Sequence, residues 1–358
     1  MKKILILFIL LSIKGYSAKI NFKDPNFKSK LLLENIAKDI NGKYIIIDQN
    51  NDKEIDENEC EKIFYLDISN SKIKNLDGIK NFKNLIYLNC TNNSIYQIDE
   101  LNDLENLTDL EIENNSIEIF SLNNKQKLKS IMAEKSGIKN VKLENCLSLE
   151  IVLFANNQIE NIEISFSPLL KAISVENNKI KKIELTNFPV VQDAFLHNNE
   201  LREVNVSNCY YLQSLDIENN KVEKIIFENN FKLKSILAAN NQLRDLNITE
   251  LSALEDLDLD SNMISSLDAI KNTQLKNIYL DENKLKSLKI SSVNIDGISF
   301  YNNPLKSICI DPKMKKKIIS SLKENDIKDC EIITTCNFKT EELNEYEVFR
   351  TTIKSKSK

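Results

Sequence analysis

One histidine, His197, serves a chain of 358 residues that has no tryptophan. That removes multi-histidine metal sites and most histidine-based acid–base chemistry. Carboxylates dominate what is left: 53 Asp and Glu stand against 48 Lys and Arg, a formal charge of -5. Such a balance lacks the clustered base that nucleic-acid binding needs. Seven cysteines raise the question of disulfides in an exported chain. One stretch, Asp48 to Glu59, places oxygen-bearing side chains at alternate positions. It reads either as a cation-binding loop or as a turn rich in Asp and Asn. An apolar share of 42% is too high for wholesale disorder and supplies a core.

The elements that must position these residues come from a repeat. The pattern L-x-x-L-x-L-x-x-N-x-L is plainest at Leu212, Leu215, Ile217, Asn220 and Val222. Twelve units begin at Ile63, Leu85, Leu107, Leu128, Leu149, Leu170, Val191, Leu212, Leu233, Leu254, Leu275 and Ile295. The chain resembles the leucine-rich repeat family over about two thirds of its length. The resemblance implies a mainly β, α/β-class solenoid: a right-handed horseshoe of about 12 repeats with a parallel sheet on its concave face.

Each position has a physical reason. Residues four and six of a unit alternate with polar neighbours, the period of a strand with one buried face. An Asn follows where the chain turns, and its amide both donates and accepts. The series from Asn93 to Asn303 is expected to form a buried ladder, with Ser71 and Ser136 as shorter substitutes. Pairs such as Ile183 and Leu185 in the back half predict extended structure on the convex side. Leu76-Asp77-Gly78-Ile79 in the first unit and Leu267-Asp268-Ala269-Ile270 in the tenth look like the internalin-type variant, with a 3₁₀ return. Helices are expected at both ends, over 26–40 behind Asp24-Pro25 and over 312–325.

The run Asp48 to Glu59 resembles the twelve-residue EF-hand calcium loop. By that resemblance Asp48, Asn50 and Asp52 are the first side-chain ligands, Glu54 uses its carbonyl, Asp56 acts at the ninth position and Glu59 closes the site. Lys53 stands where the loop has Gly, so a calcium ion, the one cofactor expected, would meet a positive charge. Cys90, Cys146 and Cys209 fall at core positions. Cys309, Cys330 and Cys336 cluster near the C-terminus, where one bridge from Cys309 to either of the others is expected.

The outward positions of the strands carry fourteen acids and one base, Lys135. Large apolar groups stand among them. Asp193, Phe195, His197, Asp216, Glu218, Leu237, Asp256, Asp258, Asp260, Tyr279 and Asp281 are the expected binding surface; the plainer reading is a solvated face. The first eighteen residues have a basic start, the apolar run Ile4 to Ile13 and small residues before the break, which reads as a cleaved secretory signal. The expected layout is 1–18 signal, 19–62 cap, 63–305 repeats, 306–338 second cap and 339–358 polar tail. The expected function is non-enzymatic recognition of a protein or peptide with basic and apolar character, in an adhesin-like role. The protein would be a monomer, secreted, periplasmic or on the cell surface, with no membrane span. The alternative is a calcium-stabilised structural or glycan-binding module.

Overall fold

The structure is a computed structural model that describes residues 18–325, 327 and 330–334. Most of the expected signal segment, Cys336 and the expected polar tail lie outside the described residues. Two compact units divide the chain, Met1–Leu170 and Lys171–Lys358.

The first unit opens on the helix Pro25–Leu31. Asp24 caps it, its Oδ1 accepting the N–H groups of Asn26 and Phe27, while its Oδ2 accepts that of Lys74 at 2.6 Å. One carboxylate thus ties the cap to the first repeat. Burial alone would raise its pKa; the backbone N–H groups outweigh that and hold it low. The helix is shorter than the expected 26–40. Asn35 takes φ 60°, and the chain then becomes a hairpin, Ala37–Lys38 against Tyr44–Ile45. Ala37–Lys38 pairs antiparallel with the first repeat strand, Tyr65–Asp67. From there the front strands run parallel: Tyr87–Asn89, Asp109–Glu111, Ser130–Met132 and Ile151–Leu153. The first two returns are 3₁₀ turns, Ile79–Asn81 and Asp99–Asp103. The next three form a parallel back sheet, Ile119–Asn123, Asn140–Glu144 and Asn161–Ser165.

The second unit repeats the plan. Its front strands are Ala172–Ser174, Asp193–Phe195, Ser214–Asp216, Ser235–Leu237, Asp256–Asp258, Asn277–Tyr279 and Gly297–Ser299. Behind them Glu203–Asn205 pairs with Lys224–Ile226, and Ser266–Ala269 leads a second group through Ser287–Ile290 and Ser307–Ile310 to Glu331–Ile333. The tenth return is therefore a strand, against the expected 3₁₀ turn. Gly78 enters the first turn at φ 103°, but the second is entered from Ile98 at φ -127°, so a glycine is not what a 3₁₀ return requires; the tenth return instead pairs in a ladder with Ser287–Ile290. The C-terminal cap is a 3₁₀ turn, Pro312–Met314, followed by the helix Lys315–Glu324, which buries Ile318 and Leu322.

The repeat positions fill the core. Leu212, Leu215, Ile217 and Val222 are fully buried, each side chain contributing about 1.5–3 kcal/mol relative to exposure. The Asn ladder is present. Asn199 donates to the carbonyls of Val175 and Leu196 and accepts the N–H of Ile180; Asn220, Asn241, Asn262 and Asn283 repeat the arrangement. Ser136 substitutes for it by donating to Ile112 and accepting from Asn115. The residue before each ladder Asn takes the left-handed conformation, as at Asn198, Asn219 and Asn240. That explains the Asn-Asn doublets, because Asn enters this region more readily than most residues.

Candidate recognition surface

In the second unit the front strands pair in register, so outward residues line up in rows. One row runs Asp193, Ser214, Ser235, Asp256, Asn277. The next runs Phe195, Asp216, Leu237, Asp258, Tyr279. With strands ~4.8 Å apart, this second row alternates an apolar group with an acid at every step. The sequence places these residues outward; their alternation appears only once the strands are set side by side. Phe195 and Tyr279 are each 37% exposed. Tyr279 lies over Gly297, where a Cβ would come within 2.6 Å of its hydroxyl. The missing side chain leaves the space that the ring occupies.

His197, Glu218, Asp260 and Asp281 follow where the strands end. His197 Nδ1 is 2.8 Å from Asp216 Oδ2. Asp216 is only 8% exposed, so it is not the solvated acid that its outward position suggests. The other acids also have local work. Asp258 accepts the N–H of Asp260, Asp260 that of Asp281, and Asp281 that of Tyr301; Asp256 accepts from the side chain of Asn277. Burial raises the pKa of Glu218, with Asp216 and Asp258 adding to it. Burial likewise raises Asp258. Asp260 is pushed up to about 6, by burial first and then by Asp258, Asp281 and Glu282. The face is thus crowded with negative charge that it holds at a cost.

The front face of the first unit differs. Tyr65 and Tyr87 stand in register with ring centroids 6.4 Å apart, followed by Asp109 and Glu111, then Met132, Ile151 and Leu153. Burial, then Glu111, raises the phenol pKa of Tyr87.

The acidic stretch of the cap forms a closed turn. Asp48, 8% exposed, accepts the N–H groups of Asp52 and Lys53. Asn50 accepts from Asp52, and Asp52 from Glu54 while pairing with Lys19. Glu54 pairs with Lys28. Glu59 accepts from Gln49 and Asp56, and Asp56 from Glu59, which makes a capping box for the short helix Glu57–Cys60. Lys53 has φ 62°, the left-handed value that a Gly would take there. Among the described residues no three acidic, cysteine or histidine groups converge to hold a metal ion.

Cys60, Cys90, Cys146 and Cys209 are buried free thiols, and Cys330 is free and half-exposed. Cys309 is disulfide-bonded; Cys336 lies outside the described residues. Among the described residues no helix is long and apolar enough to cross a membrane.

No family profile matches the chain, and no curated protein matches it. Solved structures do. An internalin (inlF) from Listeria monocytogenes is 20% identical, with 89% of this chain and 98% of that one covered at a TM-score of 0.51. YopM, a leucine-rich effector protein from Yersinia pestis, is 23% identical, with 68% of each chain covered at 0.54. A chain of the Toll–Spätzle complex of Drosophila is 14% identical over 71% of this chain and 41% of its own, at 0.57. With the parallel front strands, extended returns and Asn ladder, these likenesses show that the chain has the leucine-rich repeat fold of internalins and YopM.

Proposed function

We propose that the protein is exported and works by recognition, binding a protein or peptide through the front face of its second unit. The observation that carries this is the row Phe195, Asp216, Leu237, Asp258, Tyr279. It fits a partner that offers basic and apolar groups in alternation. Apolar anchors supply affinity, while the acids steer and orient the partner. Crowded acids repel nucleic acid and favour a cation. The likeness to a chain of a solved protein complex, the Toll–Spätzle complex, supports recognition in general, and the signal-like start at Met1 supports export.

The test uses the mature chain as bait and then as analyte. Reversing Asp256, Asp258 and Asp260 to Lys is expected to slow association and flatten its salt dependence, while Phe195→Ala mainly speeds dissociation. Because Asp260 titrates near pH 6, affinity for a cationic partner should fall as pH drops through 6. A partner whose binding ignores all three changes would place the site elsewhere.

A second reading concerns the cap. Lys53 already holds the turn at φ 62°, and Asp48 and Glu59 face the same loop backbone. Calcium would exchange those N–H bonds for an ion and stabilise the cap. Calorimetry should then show calcium heat that Asp48→Ala with Glu59→Ala removes and Lys53→Gly strengthens. An absence of heat in the unmodified protein ends this reading.

A further inference from the structure

The turns that close the back strands of the first unit stand in register. Asn123, Glu144 and Ser165 end neighbouring strands side by side. The residue after each is left-handed: Asn124 at φ 54°, Asn145 at 56° and Phe166 at 51°. In the second unit Asn208 and Asn229 hold the same place at 64° and 61°. Asn enters this region readily, whereas a bulky aromatic does so against steric resistance. Packing does not explain the exception. The Phe166 side chain is 72% exposed, more than any other large apolar group among the described residues. A strained backbone that holds an exposed ring points to a use outside the fold.

The ring forms one wall of an open cleft of about 370 Å³, whose other walls are Asn123, Asn124, Glu144 and Asn145. That volume lies at the low end of the range for small-molecule sites. The amides run one way: Asn145 Nδ2 donates to Asn124 Oδ1, and Asn124 Nδ2 to Asn123 Oδ1. Asn145 Oδ1 is left as an acceptor with no donor among the described residues. Each Nδ2 keeps a second N–H to give. Glu144 adds further acceptors, but Lys142 Nζ lies 3.5 Å from its Oε2. The cleft therefore offers no net charge to an ion.

From this cleft we infer a binding site for a neutral saccharide on the back edge of the first unit. A pyranose presents a face of C–H groups and a rim of hydroxyls. The C–H face stacks on the Phe166 ring, while the hydroxyls meet amides that donate and accept and a carboxylate that accepts. A cation would have to displace Lys142 from Glu144, and an anion would face that carboxylate. A wholly apolar ligand would strip water from three amides and replace none of its bonds. Because Asn123, Asn124, Glu144 and Phe166 are all exposed, one unit of a longer glycan fits the cleft as well as a free sugar does. The site lies in the first unit and does not rest on the recognition reading above.

The test is a nuclear magnetic resonance titration of the mature full chain with glucose, mannose and N-acetylglucosamine, each as the free sugar and as short linear oligomers, up to about 10 mM. The expected result is that at least one of them shifts the side-chain amide of Asn145 and receives saturation from the Phe166 ring. Binding by oligomers alone assigns the site to a glycan chain, and equal binding by the monomer assigns it to a free sugar. Phe166→Asn should weaken binding at least about tenfold while raising the melting temperature, because it restores the residue that the other turns use. Phe166→Trp should keep the binding. The proposal is overturned if none of these sugars binds, or if binding survives Phe166→Asn unchanged. A Phe166→Asn variant that melts lower would make the ring structural and overturn it too. So would trilysine shifting the Asn145 amide where no sugar does, since the ligand would then be a cation.

Discussion

The repeats turn twice per unit, and the two turns solve their hydrogen bonding in opposite ways. At the front turn almost every unit uses the same residue, as Asn93, Asn115 and Asn157 do in the first unit. At the back turn the equivalent position holds Lys125, Cys146 and Ser167 in the first unit, and Phe188, Cys209, Asn230, Leu251, Asn272 and Ser292 in the second. All are buried. The difference lies in what the backbone leaves open. The front turn presents carbonyls and an N–H together, as Val175, Leu196 and Ile180 do to Asn199, and an amide meets both needs. The back turn presents mainly carbonyls. Asn230 donates to Val206 and Cys209, Asn272 to Ile248 and Leu251, and Cys209 to Leu185. A donor is used where one is present, but Phe188 and Leu251 fill the same position without one, so no single residue type is required and it drifts.

The largest effect should come from breaking the front turn. Asn199→Leu leaves the buried N–H of Ile180 without its partner and strips one of two donors from the carbonyls of Val175 and Leu196, which keep Asn178 and Asn220, so about 2–3 kcal/mol is expected. Ser136→Ala removes one donor and one weak acceptor and should cost about 1–2 kcal/mol. Denaturant melts read both, with hydrogen exchange to localise the loss, since long arrays need not unfold in one step. A neutral Asn199→Leu would show that the ladder contributes nothing.

How far this was legible follows from the same contrast. The front turn announces itself, because one geometry selects one residue and repetition makes it visible. Core, strand positions and extended returns follow from Leu and Ile spacing for the same reason. The back turn is invisible as a pattern: nothing links Lys125 to Asn230 until their shared carbonyl contacts are seen. Leu267-Asp268-Ala269 matches Leu76-Asp77-Gly78 in spacing, yet it pairs as a strand with Ser287–Ile290; the neighbouring back strand that it joins is not visible in these residues themselves. On the front face of the second unit the outward residues were legible but their pairing was not. His197 meets Asp216 across 2.8 Å, from adjacent repeats, and the sequence holds no trace of that distance.

Lys125 gives the next effect in size. Its ammonium, 2% exposed, donates to the carbonyls of Leu101, at 2.8 Å, and Leu104. These carbonyls lie within the 3₁₀ return Asp99–Asp103 and on the residue that follows it, so a charged group does here what Asn230 does later. Burial lowers its pKa to about 8, against the partial opposition of Asp103 and Glu105. In the unfolded chain it titrates near ~10.4. Between those values the unfolded state binds more protons, so this group makes stability rise as pH climbs from about 8. A neutral amine keeps two donors for the two carbonyls. Lys125→Met should cost about 1–2 kcal/mol at neutral pH, the lost bonds being offset in part by relief of a buried charge, and should abolish its share of the alkaline rise. An unchanged pH profile in the variant would mean that Lys125 is solvated.

The smallest effect sharpens the front turn itself. Its first residue is left-handed in every unit, and Asn is the usual occupant, but Lys135 holds the same conformation at φ 51°. A residue without Asn's local hydrogen bonding pays ~1 kcal/mol there. Lys135→Asn should therefore stabilise the first unit by roughly 0.5–1 kcal/mol, and Lys135→Gly by less because its unfolded chain is freer. Lys135 is also the one base among the outward positions, so charge and conformation must be separated. Lys135→Gln removes the charge and keeps the strain; it should leave the melt nearly unchanged. If Gln stabilises as much as Asn, the gain is electrostatic, and the Asn-Asn doublets answer only to the ladder and not to backbone conformation.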